Sequence, residues 1–566
     1  MKFCILVIWM IMMIGVACLQ EIHSQNRLVG SWEGDFMKDN TLTLILNFQE
    51  QNNKEIGGNI QLFQGDTKIQ DDPLSRILLS GNDLSFLIEA KKTPFEGQFS
   101  EDGLKLAGEF RFPDGSVHPV VVQKVARPSR EQLSREVSQE ADSILLHQKF
   151  TRNQLIADLE FLWRLLEKNH PQLYLYTSKE DFEVLYDSLQ NQLPAEATLD
   201  VFFRMIAPLV ARVGCSHTGI RPPEAYTRAM KQKKHLFPLK LHFLDGRAYI
   251  LKNGLQLADI QSGTRLRSIN GEDMSILHRR LMECIPADAL NPFAKSFEIN
   301  HDLASVYSLY IGTSDAFDVE CVGPDGKPVK VQIRGMKPGQ FAAFSEKTLP
   351  GSPVTDSLPF SQTLDEKNRT AILKVKAFMA SDWQKYNRYL HNFFTRLREE
   401  GFRKLIIDVR GNKGGHPFFA AELLAYLSPK GFPYFVLPIE QGEFAPLYHS
   451  FPPRDEYFRG DLYVLMDGGC RSTTGHFLSL IRYHRLGLLI GEPSGSSFYA
   501  NDQSIQVSLP ETGITLNLPR TNFQTAVEGF NMGDLLLPDH AVAPSLEDLI
   551  LKRDVQLEYA WKLTKD

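Results

Sequence analysis

Between residues 28 and 125 apolar and polar positions alternate in short runs. GSWEGDF (30–36), TLTLILNF (41–48), GGNIQLF (57–63), DLSFLIEA (83–90), PFEGQFS (94–100), LKLAGEF (104–110) and HPVVVQKV (118–125) keep a period near two. Such a period sends successive side chains to opposite faces, so each run reads as a half-buried strand. Gly81-Asn82-Asp83 and Glu101-Asp102-Gly103 supply turns between them. Residues 28–126 are therefore expected to form a small all-β barrel or sandwich, with a filled core in preference to a ligand cavity.

The period then lengthens. Across 139–230 the apolar positions Leu155, Ile156, Leu159, Leu162, Trp163 and Leu166 make a helical stripe, and DFEVLYDSLQNQL (181–193) and LDVFFRMIAPLVARV (199–213) follow as further helices. From 235 to 340 strand-like runs return in FPLKLHFLDGRAYILKN (237–253) and GTRLRSINGEDMSIL (263–277), with about fifty residues at 276–323 reading as an insertion. From 357 to 566 strands and helices alternate: TAILKVKAFM (370–379), DWQKYNRYLHNFFTRLREEG (382–401), KLIID (404–408), LYVLMDGG (462–469), LGLLIGEP (486–493), then the hairpin SIQVSLPETGITLNLP (504–519). That alternation predicts an α/β core with a mostly parallel sheet. The fold class is multidomain α+β.

Length and composition narrow the field. A chain of 566 residues exceeds what one hydrophobic core supports. The net charge of −6 is mild and offers nothing to a nucleic-acid partner. No phosphate-binding loop or dinucleotide fingerprint is present, which argues against a nucleotide enzyme. Residues 1–24 read as a signal peptide, Lys2 followed by an apolar run, with a cut after Ser24. Cys18, after Gly15-Val16-Ala17, offers the alternative of a lipoprotein cysteine and membrane attachment. Beyond Cys4 and Cys18 only Cys215, Cys284, Cys321 and Cys470 remain; none has metal-ligand spacing, and all read as small buried hydrophobes. A Cys215–Cys470 bridge is the less favoured alternative.

Two stretches carry chemistry. DVRGNKGG (408–415) follows one buried strand, and CRSTTGHF (470–477) follows another, each a tight turn leading into a helix. Backbone N–H groups at a helix start favour negative charge, and open α/β sheets set their sites at such strand ends.

These stretches resemble the tail-specific (C-terminal processing) protease family, serine peptidases that share a core with tricorn protease. VGCSHTGI (213–220), GEPSGSSF (491–498) and GDLLLPDHAVAPSLEDLILKRDVQLEYA (533–560) extend the likeness, which covers roughly 151–566. The family's Thr-x-Ser-Ala-x-Glu turn here reads Cys470-Arg471-Ser472-Thr473-Thr474-Gly475, with Cys470 in place of its Thr and Gly475 in place of its Glu. The resemblance implies a peptide or protein substrate, no metal or organic cofactor, and Ser472 as nucleophile. It also implies an oxyanion hole from the N–H of Thr473 and of Gly414 or Gly415. The Gly491–Phe498 turn lacks the lysine of the processing branch, so the tricorn-like arrangement is expected instead. His217 is then the base, oriented through Ser216 and Glu528, about 56 residues beyond Ser472. His476, one helical turn past Ser472, is the alternative base. A histidine base predicts a rate rising through roughly pH 6 to 7.5.

Residues 235–340 resemble a PDZ-like domain without a clear carboxylate-binding loop, and 28–126 resemble the lipocalin-like accessory domains of some bacterial peptidases. The whole is expected to be an exported serine peptidase of a bacterial periplasm or envelope. The alternative is a catalytically degenerate relative that binds peptides or apolar ligands, as the interphotoreceptor retinoid-binding protein suggests for this core.

Overall fold

The computed structural model describes residues 28–36, 42–50, 56–64, 67–125, 144–233, 235–253, 260–338, 340, 359–436 and 443–565. The segment read as a signal peptide, with Cys18, lies outside the described residues. The chain divides into two compact units, 1–141 and 142–566.

The first unit is a closed barrel of eight antiparallel strands in sequence order, from Gly30–Phe36 to Val117–Lys124, the last pairing back onto the first. Eight strands give an interior of a width that side chains can fill. Trp32, Phe48, Phe86, Phe95, Phe99 and Phe110 are buried together, with Phe86 stacked on Phe95 at 4.6 Å between centroids. The Trp32 indole N–H, buried with them, donates to the Leu28 carbonyl at 3.0 Å.

The second unit contains three assemblies. The first packs helices Arg152–Asn169, Lys179–Gln192 and Leu199–Ala211 against the hairpin Ile505–Ser508/Thr515–Leu518. The next is an antiparallel sheet from Leu239–Leu244 to Pro328–Arg334. Between its Arg265–Ile269 and Ala316–Val322 strands the chain inserts helices Met274–Cys284, Pro292–His301 and Leu303–Tyr310. Those helices occupy most of the stretch read as an insertion.

The third assembly is a sheet ordered Phe360–Asp365, Thr370–Val375, Lys404–Asp408, Asp461–Met466, Leu488–Gly491 and His540–Ala541. Its first pair is antiparallel and the rest are parallel. Its central strands are apolar at consecutive positions because both faces are covered. Leu405, Ile407, Val464 and Met466 pack under the helices Trp383–Glu399, Pro417–Ala425 and Thr473–Tyr483. Ile406, Tyr463 and Leu465 face Ala560 of the Val555–Leu563 helix.

The helical assembly is fastened to the hairpin by one carboxylate. Asp158, fully buried on the Arg152–Asn169 helix, accepts the N–H of Glu511 and of Thr512 at 2.9 Å and the Thr512 hydroxyl at 2.6 Å. Replacing Asp158 by Ala strands two turn donors away from water. A loss of about 2–4 kcal/mol in unfolding free energy is expected, measured by urea titration.

Candidate active site

The two chemistry-bearing turns are built on each other. Asp467, at the end of the Asp461–Met466 strand, accepts the N–H of Gly411 at 2.8 Å and of Gly469 at 2.9 Å. Burial pushes its carboxyl up, and those two N–H groups pull the other way. Asn412, fully buried, donates to the Val375 carbonyl at 3.1 Å, accepts the Gly414 N–H at 2.9 Å, and its own carbonyl accepts the Arg471 N–H at 3.2 Å. Arg410 ties the base of the same turn to Asp408 and Asp554. The inserted helices clasp the turns from outside. Glu298 pairs with Lys413 at 2.7 Å and Arg471 at 2.9 Å, and Asn291 donates to the Ser494 carbonyl at 2.8 Å.

Ser472 emerges from this frame at φ 52°, ψ −127°, as the residue preceding the Thr473–Tyr483 helix. For a residue with a side chain that backbone costs about 1–3 kcal/mol and survives only where its surroundings enforce it. Among the described residues the Ser472 hydroxyl has no hydrogen-bond partner. Gly414 lies against it: a Cβ at Gly414, where φ is +104°, would come within 2.9 Å of Ser472 Cβ and 3.0 Å of the Thr473 nitrogen. The Gly414 N–H is already spent on Asn412. The N–H groups of Thr473 and Gly415 have no acceptor among the described residues, so these two fit the oxyanion hole and Gly414 serves as the clearance above it. The Thr473 side chain turns away, its hydroxyl donating to the Gly415 carbonyl at 2.5 Å.

The departures at Cys470 and Gly475 have physical counterparts. Cys470 is fully buried, its thiol donating to the Val409 carbonyl at 3.2 Å, and burial pushes that thiol far above its usual range. It packs as part of the wall. A Cβ on Gly475 would meet Ser496 Cβ and Oγ at 2.3 Å, so Ser496 fills the space a larger residue 475 would need. All four described cysteines are free, Cys215 and Cys470 included.

His217 precedes the Gly219–Arg221 strand, which pairs with Thr515–Leu518 of the hairpin, and Asn517 fixes its carbonyl at 2.5 Å. Ser216 donates its N–H (2.8 Å) and its hydroxyl (2.9 Å) to the two oxygens of Asp288. The same hydroxyl lies 3.3 Å from His217 Nδ1 and is left to accept from it. That network assigns the hydrogen to Nδ1. Nε2 faces Asp502, 3.6 Å away, and the ring is about one-fifth exposed, at 20%. His217 and Ser472 share no hydrogen bond among the described residues. His217 does lie near enough for its charge to depress His476, one turn beyond Ser472.

Three expectations change. Glu528 is exposed and lines a groove with Asp461, Leu462, Arg482 and Tyr483, at the start of the central strand, away from Ser472. The loop after Thr521–Thr525 carries it there, and Asp288 and Asp502 hold the acidic positions around His217 instead. His476 does not fit a base: burial, and then the charge of His217, hold it down at about 3. Its ring nitrogens are buried without partners, and its edge meets Tyr434 and Phe435. The third change concerns pH. Burial is the largest single influence on His217 and opposes its charge, but the hydrogen bond with Cys215 and the charges of Asp502 and Asp288 together outweigh it and hold the ring's pKa above the usual histidine range. The Cys215 thiol is correspondingly lowered, against its burial, by hydrogen bonds with His170 and His217. A cavity of about 1220 Å³, lined by Phe203, Arg221, Tyr226 and Thr515, lies beside the helical assembly and includes neither Ser472 nor His217.

Residues 369–532 match Peptidase family S41, so the tail-specific protease likeness read from the sequence holds for the segment that carries Ser472 and both turns. No curated protein sequence matches the chain. Among solved structures, mature CPAF is 15% identical, with a TM-score of 0.51 over 73% of this chain and 97% of that one. A point mutant of CPAF gives 14% identity and a TM-score of 0.53 over the same shares. The photosystem II D1 C-terminal processing protease gives 14% identity and a TM-score of 0.36, over 70% of this chain and 96% of that one. The CPAF structures share this fold.

The imidazolium of His217 stabilises the fold fully below the ordinary histidine pKa, and that contribution fades as pH rises through the raised value. In an NMR titration the His217 ring should hold its proton well above pH 6.5, with Cys215, Asp288 and Asp502 facing it and His476 uncharged. Cys215→Ser removes the thiolate, so the midpoint should fall. An unchanged midpoint would show that the thiol does not face the ring.

Proposed function

We propose, from this peptidase core, that the protein is an exported serine peptidase that cuts peptide bonds through Ser472 with His217 as general base. The observation that carries this reading is the strained, unpartnered Ser472 beside the free N–H groups of Thr473 and Gly415. His217 Nε2 takes the Ser472 proton as Oγ bonds to the substrate carbonyl carbon. The carbonyl oxygen becomes an oxyanion facing the two N–H groups. Collapse breaks the C–N bond, and His217 returns the proton to the departing amine. Water, deprotonated by His217, then releases the acyl group and restores Ser472. Asp288, through Ser216, fixes the tautomer at Nδ1, and Asp502 is available to the imidazolium at Nε2. Because His217 holds its proton unusually tightly, the limb of the rate profile should lie above the pH 6 to 7.5 of an ordinary histidine. The proposed location is the bacterial periplasm or envelope, reached through the 1–24 signal segment, with Cys18 as the alternative lipid anchor.

Labelling with a fluorophosphonate probe and assay on an unfolded polypeptide test the reading. Ser472→Ala should lose the label and reduce kcat by on the order of 10⁴-fold or more, with the circular dichroism spectrum retained. Equal cleavage by wild type and Ser472→Ala would refute the nucleophile. A wild type that neither labels nor cleaves would favour a ligand-binding relative.

Gly414→Ala should reduce kcat by about 10²-fold or more, because its Cβ closes on Ser472 and the oxyanion donors. Full activity in this variant would mean that the oxyanion lies elsewhere.

A further inference from the structure

One cluster around His217 includes a thiol, Cys215, that peptide hydrolysis as described above does not use. Cys215 Sγ, a ring nitrogen of His217 and a carboxylate oxygen of Asp288 all lie within 4.8 Å of one another. Cys215 is 2% and Asp288 3% exposed, so neither group is a solvated surface side chain. The three come from two places. Cys215 and His217 flank Ser216 on one loop, while Asp288 belongs to the short turn Asp288–Leu290 between the inserted helices. Ser216 bridges them, donating to both Asp288 oxygens and holding that carboxylate over the loop.

A thiol, an imidazole and a carboxylate converging on one point make a donor set of a definite kind. Hard cations such as Ca²⁺ and Mg²⁺ prefer all-oxygen cages. Sulfur and nitrogen donors together select a borderline-soft ion, and Zn²⁺ accepts Cys, His and Asp at roughly 2.0–2.3 Å. Those bond lengths need the donors to draw together by about an ångström, a side-chain adjustment within a loop. The partly exposed His217 ring gives the ion a route in.

We propose that Cys215, His217 and Asp288 form a Zn²⁺ site built on the general base itself, through which a thiophilic divalent cation reversibly silences the enzyme. The silencing half rests on the peptidase reading. An imidazole bound to a cation cannot accept the Ser472 proton. Binding displaces the thiol proton and any proton on the coordinating nitrogen, and a chelator restores the resting site. The sequence hides this site, because Cys215-x-His217 lacks the spacing of familiar zinc motifs and its third ligand lies about 70 residues further on.

The test uses the purified full chain, reduced and stripped with chelator. Co²⁺ is titrated in and followed by its thiolate-to-metal charge-transfer absorption, then displaced by Zn²⁺. One ion per chain with a charge-transfer band is expected. The band should vanish in Cys215→Ser, and Zn²⁺ affinity should fall on the order of 100-fold in Asp288→Asn. Zn²⁺ should suppress hydrolysis by the wild type, and chelator should restore it. No band in wild type, a band that survives in Cys215→Ser, or hydrolysis that rises with Zn²⁺ would overturn the proposal. The cobalt spectrum needs no turnover. If the chain never hydrolyses peptide, the peptidase reading and the silencing fall, while the titration still decides the site.

Discussion

The site depends on one carboxylate held between two turns. Asp467 is shared between two turns at the ends of adjacent parallel strands, accepting one N–H from each. A buried carboxylate is costly unless hydrogen-bonded, so the two turns and the charge stabilise one another or fail together. Asn412 extends the lock to a third strand end at Val375 and to the residue just before Ser472. Only with those ends fixed can Ser472 be held in a backbone conformation that its own side chain disfavours. The glycines at 414 and 415 answer the same constraint. A Cβ at Gly414 would come within 2.9 Å of the Arg471 carbonyl oxygen in the facing turn, and one at Gly415 within 2.3 Å of the Phe378 carbonyl oxygen beyond the Thr370–Val375 strand.

Much of this was legible in the sequence where the cause is local. The alternating runs of 30–125 gave strands because period two follows from the pleat. The consecutive apolar residues of 404–408 and 462–466 pointed to a sheet covered on both faces, and the place of Ser472 between strand and helix was legible because strand, turn and helix follow one another within a few residues. The parts that failed were set by tertiary structure. Asp288 sits in an insertion without a motif, and Asp502 sits in FYAND, between two better-marked stretches. Neither position carries a local signal that it faces His217. Glu528 had the right spacing and the wrong end of the sheet, since chain distance does not fix the course of a loop. Gly475 looked like damage to a motif, but it is matched by Ser496, which occupies the space a side chain there would need.

The surroundings of His217 differ from a simple relay of acid, hydroxyl and ring. Two carboxylates and a thiol of lowered pKa face one imidazole, more than orientation alone requires. Cys215 is therefore more than the small buried hydrophobe its composition suggested. Its thiol sits between two histidines, whereas Cys470, buried to a similar degree, meets a carbonyl and a carboxylate and keeps its proton. Burial alone does not decide a thiol's state; the sign of its neighbours does.

Ser472 and His217 lie about 250 residues apart in sequence, and the hairpin at 505–518 that holds the histidine's loop comes later than either. During synthesis from the N-terminus, the histidine emerges long before the strand that pairs with its loop. Contacts of such large sequence separation form late in folding, after the local helices and strand pairs. A chain still leaving the ribosome therefore lacks the pairing that holds the His217 loop even when most of its length is made. The order of elements along the chain thus delays the meeting of the His217 loop and its partner strand until after residue 515 has been made.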